Sequence, residues 1–413
     1  MQLQSVSSDP WQERPLWAEI DLDALADNVR LLKNQANGAA LMAVVKANAY
    51  GHGAVAVART ALAAGADRLG VICVDEGEQL RRAGITAPIL VMGHTPAGEA
   101  QRLTDLSLTP SVVSDQTALA LARVAGERGI ETPVHLKVDT GLNRYGLPRS
   151  EAADLGRWLH DLAGIQVEGL FTHFASADEE DKSYTIEQHK LFLSVAEQLN
   201  WVPIRHVSNT ATLLDIPDMS LEMVRPGLGI YGCYPSTHVK RSLSLKPVLS
   251  LKGRLVRLTP IAPGEPVSYG RTWTASRPSL IGLVMCGYAD GLPRALSNRG
   301  SVLVRGRRAP IVGRVCMDMC MVDVSDIPDV VVDDEVVIIG RQGEQEISAD
   351  ELAELCGTIS YEILCGISAR VPRLYLRQGR VVSKQTLVRE LQEGVTASVP
   401  EGVLAEEPSP GGA

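Results

Sequence analysis

The sequence has few aromatic residues and lacks the cysteine and histidine patterns of disulfide or metal scaffolds. Only 4% of the 413 residues are aromatic, so Val, Leu, Ile and Ala must form the core. The 7 cysteines are odd in number and form no CxxC pair, which indicates reduced thiols and a cytoplasmic protein. HExxH, GxSxG and P-loop motifs are also missing. The sequence therefore gives little support to metal-dependent, GxSxG-hydrolase or P-loop chemistry.

Charge and hydropathy argue against two classes of partner. The formal net charge is −9, which disfavours nucleic acid or an anionic membrane as the main partner. No apolar run approaches the roughly 18 residues that a membrane span needs. The opening MQLQSVSSDPWQER has neither a basic nor an apolar region, so we expect no signal peptide. We predict a small-molecule substrate and neither a nucleic-acid nor a membrane partner.

Eight short apolar runs follow one another through the first 245 residues, with helix-compatible, alanine-rich segments between most of them. Runs rich in Val, Ile and Leu are typical of strands buried on both faces of a parallel sheet. Eight such repeats predict a (β/α)8 barrel over residues 14–245, with an open doubly wound sheet as the alternative. The runs lie at 41–46, 69–74, 88–93, 108–113, 134–139, 167–174, 204–209 and 222–232.

The pattern changes after about Leu245. Short apolar runs separated by Gly, Pro and Asp predict a mostly β C-terminal domain over residues 246–385, with one helical segment at 349–356. We expect residues 1–13 to be an N-terminal extension. The Pro-, Gly- and Glu-rich segment 386–413 is predicted to be a disordered tail.

Polar side chains stand where the apolar runs of the barrel end. In a barrel these ends meet at one mouth, where reactive groups belong. Taken alone, any of them could be a solvated or ion-paired loop residue, and their convergence is what favours a site. The residues are Lys46, Lys137 with Asp139, His173, Asn209 and Arg225.

Lys46 has the context of a Schiff-base lysine. It ends a buried run, and partial desolvation would make its neutral amine available as a nucleophile. A lysine that extends its amine to solvent is the alternative. The segment 51–56, with Asp75 some 20 residues on, also fits a dinucleotide turn weakly. Glycines in 225–232 and hydroxyls in 208–214 suit a phosphate. A Schiff-base lysine and a phosphate site in the same barrel mouth together imply pyridoxal phosphate.

Several long motifs resemble those of alanine racemases. They are VVKANAYGHG (44–53), KVDTGLNRYG (137–146), FTHFASAD (171–178), HVSNTA (206–211), RPGLGIYG (225–232), VSYG (267–270), GYADG (287–291), GRVCMDMCMVDV (313–324) and SYE…RVPRLY (360–375). The resemblance spans residues from about 14 to 380. It implies a pyridoxal-phosphate barrel followed by a β domain, and interconversion of L- and D-alanine for bacterial cell-wall peptidoglycan.

The resemblance assigns two bases on opposite faces of the substrate. Lys46 would carry pyridoxal phosphate and exchange the Cα proton on the D-alanine side, and Tyr288 would act on the L-alanine side. A phenol is ordinarily a poor base at neutral pH, because its pKa is about 10, so neighbours must assist it. His173, similar to the family histidine that stacks on the pyridine ring, would connect to it through an arginine.

The resemblance also assigns binding roles. Arg225 would face the pyridine nitrogen and Arg144 the substrate carboxylate, with Lys137 carbamylated beside it, while Met317 would contact substrate through its backbone. Residues expected to bind the phosphate are Tyr50, Asn209, Thr210, Gly227, Leu228 and Tyr361. Residues expected along the access path are Asp178, Arg314 and Arg373.

Related readings stay open at this point. Similar barrel-plus-β enzymes decarboxylate basic amino acids, some racemases prefer serine, and single-barrel proteins only carry the cofactor. Tyr361 favours alanine over serine, and the second domain disfavours a carrier. In the family the β domain of one subunit caps the barrel of the other. We therefore expect a homodimer in which Lys46 meets Tyr288 of the partner chain.

Overall fold

Eight parallel strands form a barrel, one from each apolar run of the sequence. The computed structural model describes residues 14–388 and 390–392. The first seven strands pair in chain order and the eighth pairs with the first. Between the seventh and eighth strands, the Arg225 N–H donates to the Ser208 carbonyl at 2.8 Å. A two-residue strand, Leu147–Pro148, extends the fifth. The eight strands are Ala40–Val44, Arg68–Val71, Ile89–Val91, Thr109–Val112, Thr132–Asp139, Ile165–Phe171, Ile204–His206 and Met223–Val224.

Helices precede and connect the barrel strands, and some of them begin at a side-chain cap. In Asp115–Arg128, for example, Ser114 accepts the Thr117 N–H, and Gly129 ends the helix at φ +65°. The helices are Leu22–Gln35, Lys46–Tyr50, Ala54–Ala63, Val74–Arg82, Ala100–Asp105, Asp115–Arg128, Arg149–Asp161, Ser183–Ala196 and Thr210–Asp215. Single 3-10 turns are Ala97–Glu99, Glu197–Leu199, Pro217–Met219 and Leu228–Tyr231.

A second, mostly antiparallel sheet follows the barrel, which confirms the predicted fold class. Its strands are Leu249–Ile261, Ser279–Val284, Ser301–Val304, Arg307–Pro310, Cys320–Asp323, Glu335–Gln342, Gln345–Ile347, Arg373–Arg377 and Arg380–Gln385. Beside it lie the hairpin of Pro266–Val267 with Trp273–Thr274, the helices Ala349–Cys356 and Ser360–Cys365, and the 3-10 turns Tyr269–Arg271 and Arg294–Leu296.

The two ends of the described chain differ from the sequence-based expectation. Leu16–Asp21, predicted as part of the barrel segment, is a strand of the second sheet, because its backbone pairs with Leu249–Ile261 and Arg373–Arg377. Within the segment predicted as disordered, Glu390–Gln392 pairs with the preceding strand. The N-terminal extension 1–13, residue 389 and the tail from 393 lie outside the described residues. No helix of the described residues is both long and apolar enough to cross a bilayer.

The second domain contacts the barrel closely at Gly51, just after the Lys46 segment. Arg373 is 2% exposed and donates to the Gly51 carbonyl at 3.0 and 3.1 Å. A Cβ added to Gly51 would lie 2.2 Å from the Leu364 carbonyl oxygen, and its φ is +84°. Only glycine therefore fits this position without moving one domain against the other.

Backbone strain alone costs roughly 1–3 kcal/mol. We expect Gly51→Ala to lower the free energy of unfolding by more than this, because a steric clash adds to the strain. Gly129→Ala is the matched control, because Gly129 also has a positive φ, +65°, but open space around its Cα. Urea denaturation of both variants measures the difference. Equal losses would show that the contact with Leu364 does not constrain the fold.

Candidate active site

A cavity of about 630 Å³ opens at the C-terminal ends of the barrel strands. It brings together most of the residues predicted from the sequence, although they come from distant segments. Those that line it are Lys46, Tyr50, Lys137, Arg144, His173, Asp178, Asn209, Thr210, Arg225, Gly227, Leu228 and Tyr361. Tyr361 reaches this cavity from the second domain, so both domains of one chain form its wall.

Lys46 is followed by a left-handed turn of ordinary L-residues. The φ angles of Ala47, Asn48, Ala49 and Tyr50 are +53°, +51°, +54° and +52°. Such a conformation costs about 1–2 kcal/mol for each residue. It persists only where the surroundings over-determine it, and strain of this kind clusters at functional sites.

Hydrogen bonds within the turn and to neighbouring segments hold it. The Ala47 N–H donates to a Glu76 carboxylate oxygen at 2.6 Å, and the Ala49 N–H to the Val45 carbonyl at 2.8 Å. The Asn48 side chain accepts the Ala54 N–H at 2.9 Å, which fixes the start of the next helix. The turn is therefore rigid, and it presents Lys46 to the cavity.

Positive charge dominates the electrostatics of the cavity. Burial and the Arg144 cation lower the pKa of Lys46. Burial, with Arg144, Arg225 and Lys46 nearby, lowers the pKa of Lys137 to about 8. Burial and the Arg225 cation hold the pKa of His173 well below its usual range. An anionic ligand suits this cavity, and its two lysines release a proton more readily than ordinary lysines do.

Arg225 is fixed by backbone carbonyls at the end of the last barrel strand. It is 4% exposed and donates to the carbonyls of Thr172 and His206 at 2.7 and 2.6 Å. Burial lowers its pKa to about 9, so the guanidinium is still a cation at neutral pH. Its position leaves it little freedom to turn away from the cavity.

The loops after the seventh and eighth strands form a cradle of hydrogen-bond donors. The Thr210 hydroxyl oxygen accepts the N–H groups of Gly227 and Gly229 at 3.1 and 3.2 Å, so its proton points elsewhere. A Cβ on Gly227 would lie 2.5 Å from the Tyr50 hydroxyl oxygen. Burial raises the pKa values of Tyr50 and Tyr361, so both remain protonated donors. This wall of the cavity fits a phosphate.

Two further polar groups are held by capping interactions. The Asn209 side-chain oxygen accepts the Thr212 N–H at 3.0 Å, which leaves its amide nitrogen as the donor group. The Asp139 carboxylate accepts the N–H groups of Gly141 and Arg144 at 2.8 and 3.2 Å. The Asp139 hydrogen bonds therefore organise the loop that carries the exposed Arg144.

Tyr288 and Met317 lie together on the surface of the second domain. The Tyr288 N–H donates to the Cys316 carbonyl at 3.0 Å. Tyr288 is 44% exposed and Met317 is 54% exposed. Arg314 lies in the same region, where its carbonyl accepts the Ser268 hydroxyl at 2.7 Å. These residues do not share a cavity with Lys46 of their own chain.

Arg373 is not at an access path, which corrects the sequence-based expectation. Its side chain is buried between the domains and donates to the carbonyls of Gly51, Ile367 and Val371. A side chain held by this many carbonyls in the interior cannot line a route to solvent. Its position points to a structural role at the domain contact.

Tyr269 has no role in the sequence-based prediction, but its exposure distinguishes it in the structure. It is 72% exposed, and its neighbours Ser268, Gly270 and Arg271 have φ values of +67°, +69° and +48°. Ser268 also hydrogen-bonds Arg314, so Tyr269 belongs to the surface region of Tyr288 and Met317. The VSYG motif was the available signal, since it was one of the segments that carried the resemblance.

Comparison with known proteins gives one consistent answer. The chain matches the family profiles "Alanine racemase, N-terminal domain" over residues 20–235 and "Alanine racemase, C-terminal domain" over residues 248–375. An alanine racemase of Halothermothrix orenii is 49% identical over 367 residues, covering 88% of this chain and 97% of the relative. One of Desulfosudis oleivorans is 47% identical over 374 residues, covering 87% and 96%.

Solved structures agree in both fold and sequence. An alanine racemase of Clostridium difficile has a TM-score of 0.87 and 38% identity, covering 91% of this chain and 99% of that one. An alanine racemase of Bacillus anthracis with bound L-Ala-P has a TM-score of 0.85 and 37% identity, covering 90% and 98%. The chain belongs to the alanine racemase family of isomerases.

Proposed function

We propose that this chain interconverts L- and D-alanine with pyridoxal phosphate held in the barrel-mouth cavity. The observation that carries the proposal is Lys46, a partly buried amine with a lowered pKa, which a left-handed turn presents to a cavity that also contains the phosphate cradle. When bound, pyridoxal phosphate supplies a carbon that reacts with amines and a conjugated ring that accepts electrons when the Cα proton leaves.

The residues of the cavity fit this cofactor by chemistry and by space. Lys46 would hold it covalently, and the cradle would bind its phosphate through Tyr50, Asn209, Thr210, Gly227, Leu228 and Tyr361. Gly227 supports the fit, because any side chain there would displace the Tyr50 hydroxyl. His173 would lie against the ring as a neutral imidazole.

Arg225 would donate a hydrogen bond to the pyridine nitrogen. A guanidinium donates without giving up its proton, so the ring nitrogen would stay unprotonated. The ring would then accept electrons less strongly than beside a carboxylic acid. We infer that this choice limits side reactions such as transamination and favours simple return of the proton.

Arg144 would bind the substrate carboxylate, and Lys137 would orient Arg144. A neutral Lys137 amine can add to carbon dioxide and release one proton, which forms a carbamate anion. Its pKa of about 8 leaves part of the amine neutral at physiological pH. The cations of Arg144 and Arg225 repel a charged Lys137, although its Nζ also makes a cation–π contact with the Tyr145 ring at 4.6 Å from the ring centre. Carbamylation would convert this repulsion into attraction.

The second base would be a phenol from the partner's second domain. The motif-based prediction names Tyr288, and the structure adds Tyr269 from the same surface region. Greater exposure and a strained backbone favour Tyr269 as the group that reaches a second subunit. Lys46 would exchange the proton on the D-alanine face and the phenol on the L-alanine face. Met317 and Arg314 would approach the same site from the partner.

We further propose a cytoplasmic homodimer that supplies D-alanine for peptidoglycan. Tyr288, Tyr269 and Met317 are exposed on one chain and separate from its cavity, as residues that act in a partner's site would be. An isologous dimer makes such a contact reciprocal, so that each dimer holds two composite sites. Asp178 at the rim of the cavity would then line the access path together with the partner's second domain.

The covalent link can be tested by borohydride reduction. We expect the purified protein to be yellow and the reduced cofactor to be found by mass spectrometry on the peptide that contains Lys46. Lys137 is an internal control, since it is another amine of the same cavity with a lowered pKa. Cofactor fixed on Lys137, or on neither lysine, contradicts the assignment.

The two-base division predicts asymmetric defects. Tyr269→Phe should slow deuterium exchange of L-alanine by roughly 10²–10⁴-fold and affect D-alanine much less, because only one face loses its base. Tyr288→Phe is the matched variant from the same surface. If Tyr288→Phe alone shows the asymmetry, the motif-based assignment is correct. If neither variant shows it, this surface does not supply a base.

Subunit mixing tests the shared site. Inactive Lys46→Ala protein is exchanged with inactive Tyr269→Phe protein, and in parallel with Tyr288→Phe protein. Random pairing makes half the dimers mixed, each with one intact site of two, so about a quarter of wild-type activity should return. If both residues acted within one chain, every site would retain a defect. No recovery after verified subunit exchange would therefore refute sharing.

A further inference from the structure

A continuous row of polar side chains runs through the barrel interior, from Arg225 at the mouth towards the opposite end. Arg225 Nη1 lies 2.9 Å from His206 Nδ1, and His206 Nε2 lies 2.8 Å from His135 Nδ1. His135 Nε2 lies 3.1 Å from a Glu168 oxygen, and Arg68 binds Glu168 with two hydrogen bonds of 2.6 and 2.7 Å. Both histidines are fully buried.

The donors at one end and the acceptor at the other fix the direction of every hydrogen bond in the row. A guanidinium only donates, so His206 Nδ1 must accept. Neutral His206 then carries its proton on Nε2 and donates to His135 Nδ1. His135 in turn carries its proton on Nε2 and donates to the Glu168 carboxylate, which only accepts. Burial lowers the pKa of each histidine, which keeps both neutral.

Packing holds the two imidazoles in register. The His206 ring stacks on Phe171 at 4.7 Å between ring centres and 7° between planes. A Cβ on Gly169 would lie 2.3 Å from His135 Nδ1, so only glycine leaves room for this contact. Although burial raises the pKa of Glu168, hydrogen bonds from His135 and Arg68 lower it to about 2, so the row ends on an anion.

We propose that Glu168, clamped by Arg68, positions Arg225 by imposing the Nε2–H tautomer on both His135 and His206. Without a carboxylate, an amide at this position could donate to His135 Nε2 and reverse the row. His206 would then carry its proton on Nδ1 and face the Arg225 guanidinium donor to donor. Glu168 is thus a positioning residue for the group that faces the cofactor ring, an inference that rests on the proposed function.

The chain offers a matched control for this interaction. Arg205 and Glu222 form another arginine–glutamate pair of the barrel. The side-chain Nε and the backbone N–H of Arg205 each donate to the Glu222 carboxylate at 2.9 Å. Both pairs are partly buried. Of the two glutamates, only Glu168 contacts a histidine of the row. Glu222→Gln therefore removes a comparable charge and leaves the row of histidines in place.

Nitrogen-15 NMR of the holoenzyme labelled at histidine tests the proposal directly. In the wild type, His135 and His206 should both show neutral Nε2–H tautomers, and Glu168→Gln should convert a fraction of His206 to Nδ1–H while Glu222→Gln does not. A wild type with Nδ1–H or doubly protonated rings would overturn the proposal, even if Glu168→Gln failed to fold. So would a folded Glu168→Gln variant with unchanged spectra.

Kinetics supply the second readout. We expect Glu168→Gln to lower kcat for alanine by roughly tenfold with a smaller change in KM, at the low end of what loss of an outer hydrogen-bond partner costs. Glu222→Gln should stay close to wild type. A matching loss in both variants would mean a merely structural effect. The NMR result does not require racemisation, so failure of the proposed function would leave the tautomer test separately readable.

Discussion

The left-handed turn at Ala47–Tyr50 is the constraint on which the rest of the site depends. Four consecutive L-residues hold positive φ angles, a conformation that Ala47, Ala49 and Tyr50 have no local preference for. Their conformation is maintained by Glu76 of the barrel and by the second domain, which packs against Gly51. The contact between the two domains therefore helps to hold Lys46 in its position.

A fixed position of Lys46 suits a reaction in which a proton leaves one carbon and returns to it. Proximity and orientation lower a barrier only if the reacting groups are held before the reaction. The cavity shows the same preparation elsewhere, since Asp139 organises the loop of Arg144 and backbone carbonyls hold Arg225. The cationic groups of the cavity repel one another, which costs free energy, and an anionic ligand would offset that cost.

A row of hydrogen-bonded side chains in the barrel interior connects the two ends of the strands. Small and flat side chains make this possible: Gly169 admits the His135 ring, and Phe171 stacks on His206. Buried polar groups must be paired, and here each hydrogen bond determines the direction of the next. A charge at one end of the barrel can in this way affect a cation at the other.

The sequence by itself determined the number of barrel strands and the residues at their ends. Buried parallel strands are continuous apolar runs, and a polar residue that ends such a run stands out; Lys46, His173 and Arg225 were found in this way. The sequence could not determine that Leu16–Asp21 pairs in the second sheet or that Arg373 is buried. Strand pairing and burial depend on contacts between residues hundreds of positions apart. Tertiary structure alone decided the left-handed turn, the exposure of Tyr269 and the polarity of the histidine row, because each results from packing between segments rather than from local preference.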